Sequence, residues 1–228
     1  MMLRFCTVTG ADDAVAPEDL LTLSLLYPHV EWAILFSPKL EGTSRYPTAI
    51  WRERFTSVLK GRANTAIHLC GAAVREFEEG GLDELIAPFG RLQLNFNAKR
   101  YKGDVTRLAQ RAAQAEPTTI VQLHGGNGEV YRQFAEFGHV EVLYDASGGR
   151  GIAAESWAAP LEVPTGYAGG LRPENLGAQL EAISLVAGTS TIWCDIETGV
   201  RTVDDRFLLE AARQALAISA PYARPVKA

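Results

Sequence analysis

The chain has 228 residues, 47% of them hydrophobic and 21% charged, with a net charge of −5. That balance suits a globular chain with a sizeable core and excludes the dense basic surface needed to neutralise nucleic-acid phosphates. Three scattered cysteines (Cys6, Cys70, Cys194), no secretory h-region at the start and no long apolar run point to a reducing, cytoplasmic setting without disulfides, zinc or a membrane span.

Eight short apolar runs follow in chain order: Leu3–Val8, Glu31–Phe36, Thr65–Cys70, Leu92–Phe96, Thr119–Leu123, Val140–Tyr144, Thr165–Ala168 and Thr191–Ile196. Most are followed by Gly, Pro, Asn or Asp, as strands are at a turn. Helical spacing lies between several of them. Pro17–Leu26 opens with proline and acids, Asp104–Ala115 and Gly128–Phe137 mix polar and apolar positions, Pro173–Val186 starts with proline, and Val203–Ile218 closes the chain.

Strand and helix alternating eight times imply parallel strands, because each crossover must return the chain to the same edge. Eight such units close into a barrel, so one α/β domain over residues 1–228 is expected, a (β/α)8 or TIM barrel. A barrel of this kind takes about 250 residues and is recorded down to roughly 200. An open doubly wound sheet is the alternative, but the first strand is followed by a single glycine, Gly10, rather than a glycine-rich fingerprint.

In such barrels chemistry sits at the carboxyl ends of the strands. Those ends carry Cys6; Ser37-Pro38-Lys39 and Ser44-Arg45-Tyr46; His68 and Cys70; Gln93, Asn95 and Asn97; Gln122 and His124; Asp145; and, after the last two strands, Gly169-Gly170 and Asp195. Glycines gather behind the last three strands: Gly149 and Gly151, Gly169 and Gly170, then Gly199 beside Thr198. Glycine lets a backbone approach a ligand closely. With Pro173 opening a helix and Thr198-Gly199-Val200 opening a short one, these loops predict a phosphate site. His68 and His124 fit pocket lining or core better than a metal site, which needs three or four convergent ligands. No cofactor is expected.

Four local matches make the sequence resemble the phosphoribosylanthranilate isomerase family of tryptophan biosynthesis. They are Phe5-Cys6; Phe36-Ser37-Pro38-Lys39 with Ser44-Arg45-Tyr46; Leu143-Tyr144-Asp145 with Gly148-Gly149-Arg150-Gly151; and Ala168 to Asn175 with Asp195-Ile196-Glu197-Thr198-Gly199-Val200. The resemblance implies an Amadori rearrangement of a phosphorylated aminoaldose to an aminoketose. It assigns Asp145 as general acid, Cys6 as general base, Arg45 as partner of an anthranilate carboxylate, and Asp195 as a residue beside the reacting sugar. The chain departs from the family at Thr7, where the pattern has glycine. It departs again at Gln93-Leu94-Asn95, because the expected glutamine–leucine–histidine–glycine appears one strand later, as Gln122 to Gly125. The alternatives are another phosphosugar enzyme on the same barrel, or a phosphate-binding barrel without catalysis. The runs hold no lysine, which disfavours a Schiff-base aldolase.

Overall fold

In the computed structural model, which describes residues 1–124, 127–145 and 156–223, eight parallel strands close into a barrel in sequence order. They are β1 (Met2–Thr9), β2 (Val30–Phe36), β3 (Asn64–Cys70), β4 (Arg91–Asn95), β5 (Thr118–Leu123), β6 (Val140–Asp145), β7 (Thr165–Ala168) and β8 (Thr191–Ile196). Each predicted run is a strand, with ends displaced by a residue at most. Strand β2 is buried at every position, as a parallel strand covered on both faces must be.

The described helices are α1 (Pro17–Leu26), α2 (Ala49–Leu59), α3 (Ala72–Glu78), α4 (Asp83–Ile86), α5 (Val105–Gln114), α6 (Val130–Ala135), α7 (Pro173–Ala187) and α8 (Leu209–Ser219). Sequence spacing did not single out α2, α3 and α4. Helix α2 is capped by the Thr48 hydroxyl, which accepts from the Trp51 N–H, and buries Trp51, Phe55 and Leu59 at four-residue intervals. Helix α8 begins at Leu209, not Val203. The intervening residues form a loop anchored on the buried Arg201 and bridged from Arg201 to Phe207. Among the described residues no helix is long and apolar enough to cross a membrane.

Side chains alternate between two layers. Outward positions such as Val8, Ile34, Leu69 and Ile196 join the helices in the main core. Inward positions fill the barrel, where Phe5, Ile120, Leu143, Ala168 and Trp193 form a separate apolar cluster. Gly166 makes room for that cluster: a Cβ there would stand 2.1 Å from the Trp193 ring. Below the cluster, Arg91 is clamped between Glu31 and Glu141 at 2.5–2.7 Å and lies over the Trp193 ring at 4.4 Å and the Phe5 ring at 4.9 Å. This plug closes the amino-terminal half of the barrel, so the open space lies at the carboxyl end.

Candidate active site

A cavity of about 400 Å3 occupies the carboxyl ends of the strands, within the size range of small-ligand sites. Its floor is set by strand register. Asp145 pairs with Ala168 and Ala168 pairs with Asp195, so two carboxyls stand in one barrel layer on either side of a methyl group. At the usual strand spacing their Cα atoms are about 10 Å apart. Both are buried and both line the cavity.

The two aspartates have different surroundings. Asp195 accepts a 2.6 Å hydrogen bond from the Thr9 hydroxyl. Burial raises its pKa to about 8; the Thr9 hydrogen bond opposes the rise, and the negative charges of Glu197, Glu31 and Asp145 add to it. Asp195 therefore holds a proton near neutrality. Asp145 is aimed by Gln122, whose amide N–H donates to Oδ2 at 2.7 Å.

The glycine-rich end is built from two loops pressed together. Gly169 and Gly170 have φ of 113° and 63°, a region that favours glycine. Gly199, in the short 3-10 helix Thr198–Val200, packs so closely that a Cβ would stand 2.1 Å from the Leu171 carbonyl oxygen and 2.8 Å from Arg172 Cα. Asn175 ties the first loop to α7: its Oδ1 accepts from Arg172 N–H and its Nδ2 donates to Gly170 O, both at 2.9 Å. The N–H groups of Gly170, Leu171 and Gly199 have no acceptor among the described residues. The Arg172 side chain lines the cavity and makes no ion pair with any of them. Arg172 falls inside the Ala168 to Asn175 match without standing out there; a cation immediately before a proline-started helix is the signal for it.

Cys6 is not part of this cavity. It is fully buried in the outer layer, beside Cys194, its register partner on β8. The cause is a register shift in β1 between Leu3 and Phe5. Phe5, Thr7 and Thr9 then face inward and Cys6 outward, since one residue of slip exchanges the two faces. The thiol that does line the cavity is Cys70, at the end of β3. Burial pushes it up to about 11, so it stays protonated.

Arg45 lies in an ion-pair network between loops. Its backbone sits at φ 72°, with its N–H on Asp12. Its guanidinium is held by Asp205 at 2.7–3.0 Å and by Glu197 at 2.5 Å, with a longer contact to Thr198. Arg201, buried, completes the network by donating to Asp12, Asp205 and the Gly10 carbonyl. The loops after β1, β2 and β8 are thus stapled together, with both guanidiniums engaged by carboxylates. Gly149 and Gly151 lie outside the described residues. Among those residues, no three His, Cys, Asp or Glu side chains converge as a metal site would require.

No protein-family model matches the sequence, and no curated protein does. Solved structures do match. TrpF from Jonesia denitrificans has a TM-score of 0.65 at 14% identity, covering 97% of this chain and 99% of that one. Phosphoribosyl anthranilate isomerase from Thermus thermophilus has 0.64 at 18%, covering 95% and 98%. A truncated 3-deoxy-D-arabino-heptulosonate 7-phosphate synthase from Thermotoga maritima has 0.59 at 10%, covering 94% and 84%. The chain is therefore similar in fold, over nearly its whole length, to phosphoribosylanthranilate isomerases, and shares that barrel with other enzymes.

Proposed function

We propose that the protein is an isomerase of a phosphorylated aminosugar, converting an aminoaldose phosphate to an aminoketose phosphate by Amadori rearrangement. The observation that carries this is the placement of Asp145 and Asp195 on either side of Ala168, beside a loop pair that offers free amides and Arg172. The phosphate sits on the N–H groups of Gly170, Leu171 and Gly199 and on the Arg172 guanidinium. Gly169 and Thr198 shape that cradle.

The chemistry needs an acid and a base on one sugar. Asp195, protonated near neutrality, gives its proton to the furanose ring oxygen as the C1–O bond breaks and the amine nitrogen forms a protonated C=N bond. Asp145, aimed by Gln122, then takes the proton from C2. The C–H electrons form C1=C2 and neutralise the nitrogen, and the resulting enol relaxes to the ketone. The acid role thus moves from Asp145 to Asp195, and the base role from Cys6 to Asp145. The absence of a lysine from all eight strands disfavours a Schiff-base aldolase on the same cavity.

The test uses glycosylamines made in place by condensing ribose 5-phosphate with anthranilate or with 2-aminobenzamide, followed by fluorescence and NMR. Turnover of either, lost in Asp195→Asn and Asp145→Asn proteins of unchanged circular dichroism, is the expected result. No turnover of either by the folded protein overturns the rearrangement.

A further inference from the structure

We infer that the end of the cavity away from the glycine loops takes an uncharged, hydrogen-bonding group such as a carboxamide, and discriminates against a carboxylate. The inference rests on the proposed function and specifies the amine half of its substrate.

His68 lies on β3. It is 2% exposed and lines the cavity, yet neither ring nitrogen has a hydrogen-bond partner among the described residues. Burial, with the positive charge of Arg91 behind it, holds its pKa down to about 3, so the ring is neutral. A neutral imidazole offers one donor and one acceptor. A carboxamide or hydroxyl satisfies both, whereas a carboxylate accepts only and leaves the acceptor nitrogen facing another acceptor.

The neighbours reinforce this. Gln122 must present its N–H to the Asp145 carboxyl, which leaves its carbonyl oxygen as an acceptor with no donor among the described residues. Gln93, Asn95 and Cys70 form a neutral chain, with Gln93 N–H on Asn95 and Asn95 N–H on the Cys70 sulfur. Among the described residues, the two arginines of the neighbouring loops are engaged: Arg45 by Asp205 and Glu197, Arg201 by Asp12 and Asp205. Arg172 belongs to the opposite end. A second anion here would meet the negative charge of Glu197 and the unsatisfied acceptor of His68, which is how a site rejects the wrong ligand.

Two stable ligands decide the matter. Reductive amination of ribose 5-phosphate with 2-aminobenzamide or with anthranilate gives phosphorylated polyols that differ only in carboxamide against carboxylate. Calorimetric titration should show the amide ligand binding at least about tenfold more tightly. His68→Phe should weaken the amide ligand by about fivefold or more. Asp205→Asn, which removes a charge from Arg45 but keeps an acceptor for Arg201, should strengthen the acid ligand and narrow the gap. An acid ligand that binds as tightly as the amide in the unaltered protein overturns the inference. If neither ligand binds while inorganic phosphate does, the inference falls and the phosphate site stands. If phosphate also fails to bind, the proposed function falls and takes the inference with it.

Discussion

A charge on Asp195 is costly to the fold, and the proton that removes it is useful to the site. In the folded chain the group titrates at about 8, against an ordinary 3.8. Between those values the folded state holds the extra proton, so the stability linked to Asp195 declines as pH rises from about 4 to about 8. Asp195→Asn removes the carboxylate that must be desolvated. The variant should gain on the unaltered protein as pH rises across that window, by on the order of 5 kcal/mol at the alkaline end. Urea midpoints across a pH series read this directly, and a difference that stays flat with pH would refute it. Turnover should follow the same proton, declining above about pH 8 as the acid form is lost. Cys6 carries the opposite expectation. Facing the helices and not the cavity, Cys6→Ala should leave kcat/KM within about twofold while lowering stability by roughly 1 kcal/mol. A large loss of turnover in a stable variant would return the base role to that thiol.

Elements place these residues, and the glycine-rich loops do so with the least tolerance. Gly199→Ala puts a methyl against the Leu171 carbonyl and Arg172 Cα, where neither neighbour is a flexible side-chain end. The loops after β7 and β8 must part, and the amides of Gly170, Leu171 and Gly199 no longer converge. Affinity for a phosphorylated ligand should fall by about tenfold or more with the far-ultraviolet spectrum unchanged. Unaltered affinity would remove Gly199 from the phosphate site. Such loops were legible in the sequence because glycine before a proline-started helix is a local signal. Strands were legible for the same reason: runs such as Val30–Phe36 are apolar on both faces. What was not legible is long-range. The inward or outward sense of Cys6 depends on a register shift against β8, nearly two hundred residues away. The engagement of Arg45 depends on Asp205 and Glu197, which reach it only after the barrel closes. His68 and Cys70 were legible as residues at a strand's carboxyl end, but whether His68 lined a pocket or the core depended on the closed barrel. Helices α3 and α4 escaped because each is too short for its apolar spacing to stand out.

Closure of the whole barrel depends on what fills its interior, and here a cation holds the centre. Arg91 donates to both Glu31 and Glu141 while Arg4 reaches Glu141 from the rim and Thr7 donates to Glu31. One side chain on β4 thus connects β2 and β6 across the interior. Its guanidinium lies against the rings of Phe5 on β1 and Trp193 on β8, at the seam where the first and last strands pair. Buried ion pairs of this kind add little net stability when intact, but removing one partner strands the others without water or counter-charge. Arg91→Met leaves buried Glu31 without a cation and Glu141 with Arg4 alone, and should cost on the order of 3–5 kcal/mol. A triple variant, Arg91→Met with Glu31→Gln and Glu141→Gln, removes the charges together and should recover most of that loss. Urea unfolding at constant slope measures both proteins. A single variant that loses less than about 1 kcal/mol would mean that solvent reaches the plug and that the barrel is closed by its apolar layers alone. A triple variant as unstable as the single one would mean that the guanidinium contributes through its ring contacts and hydrogen-bond geometry, not its charge.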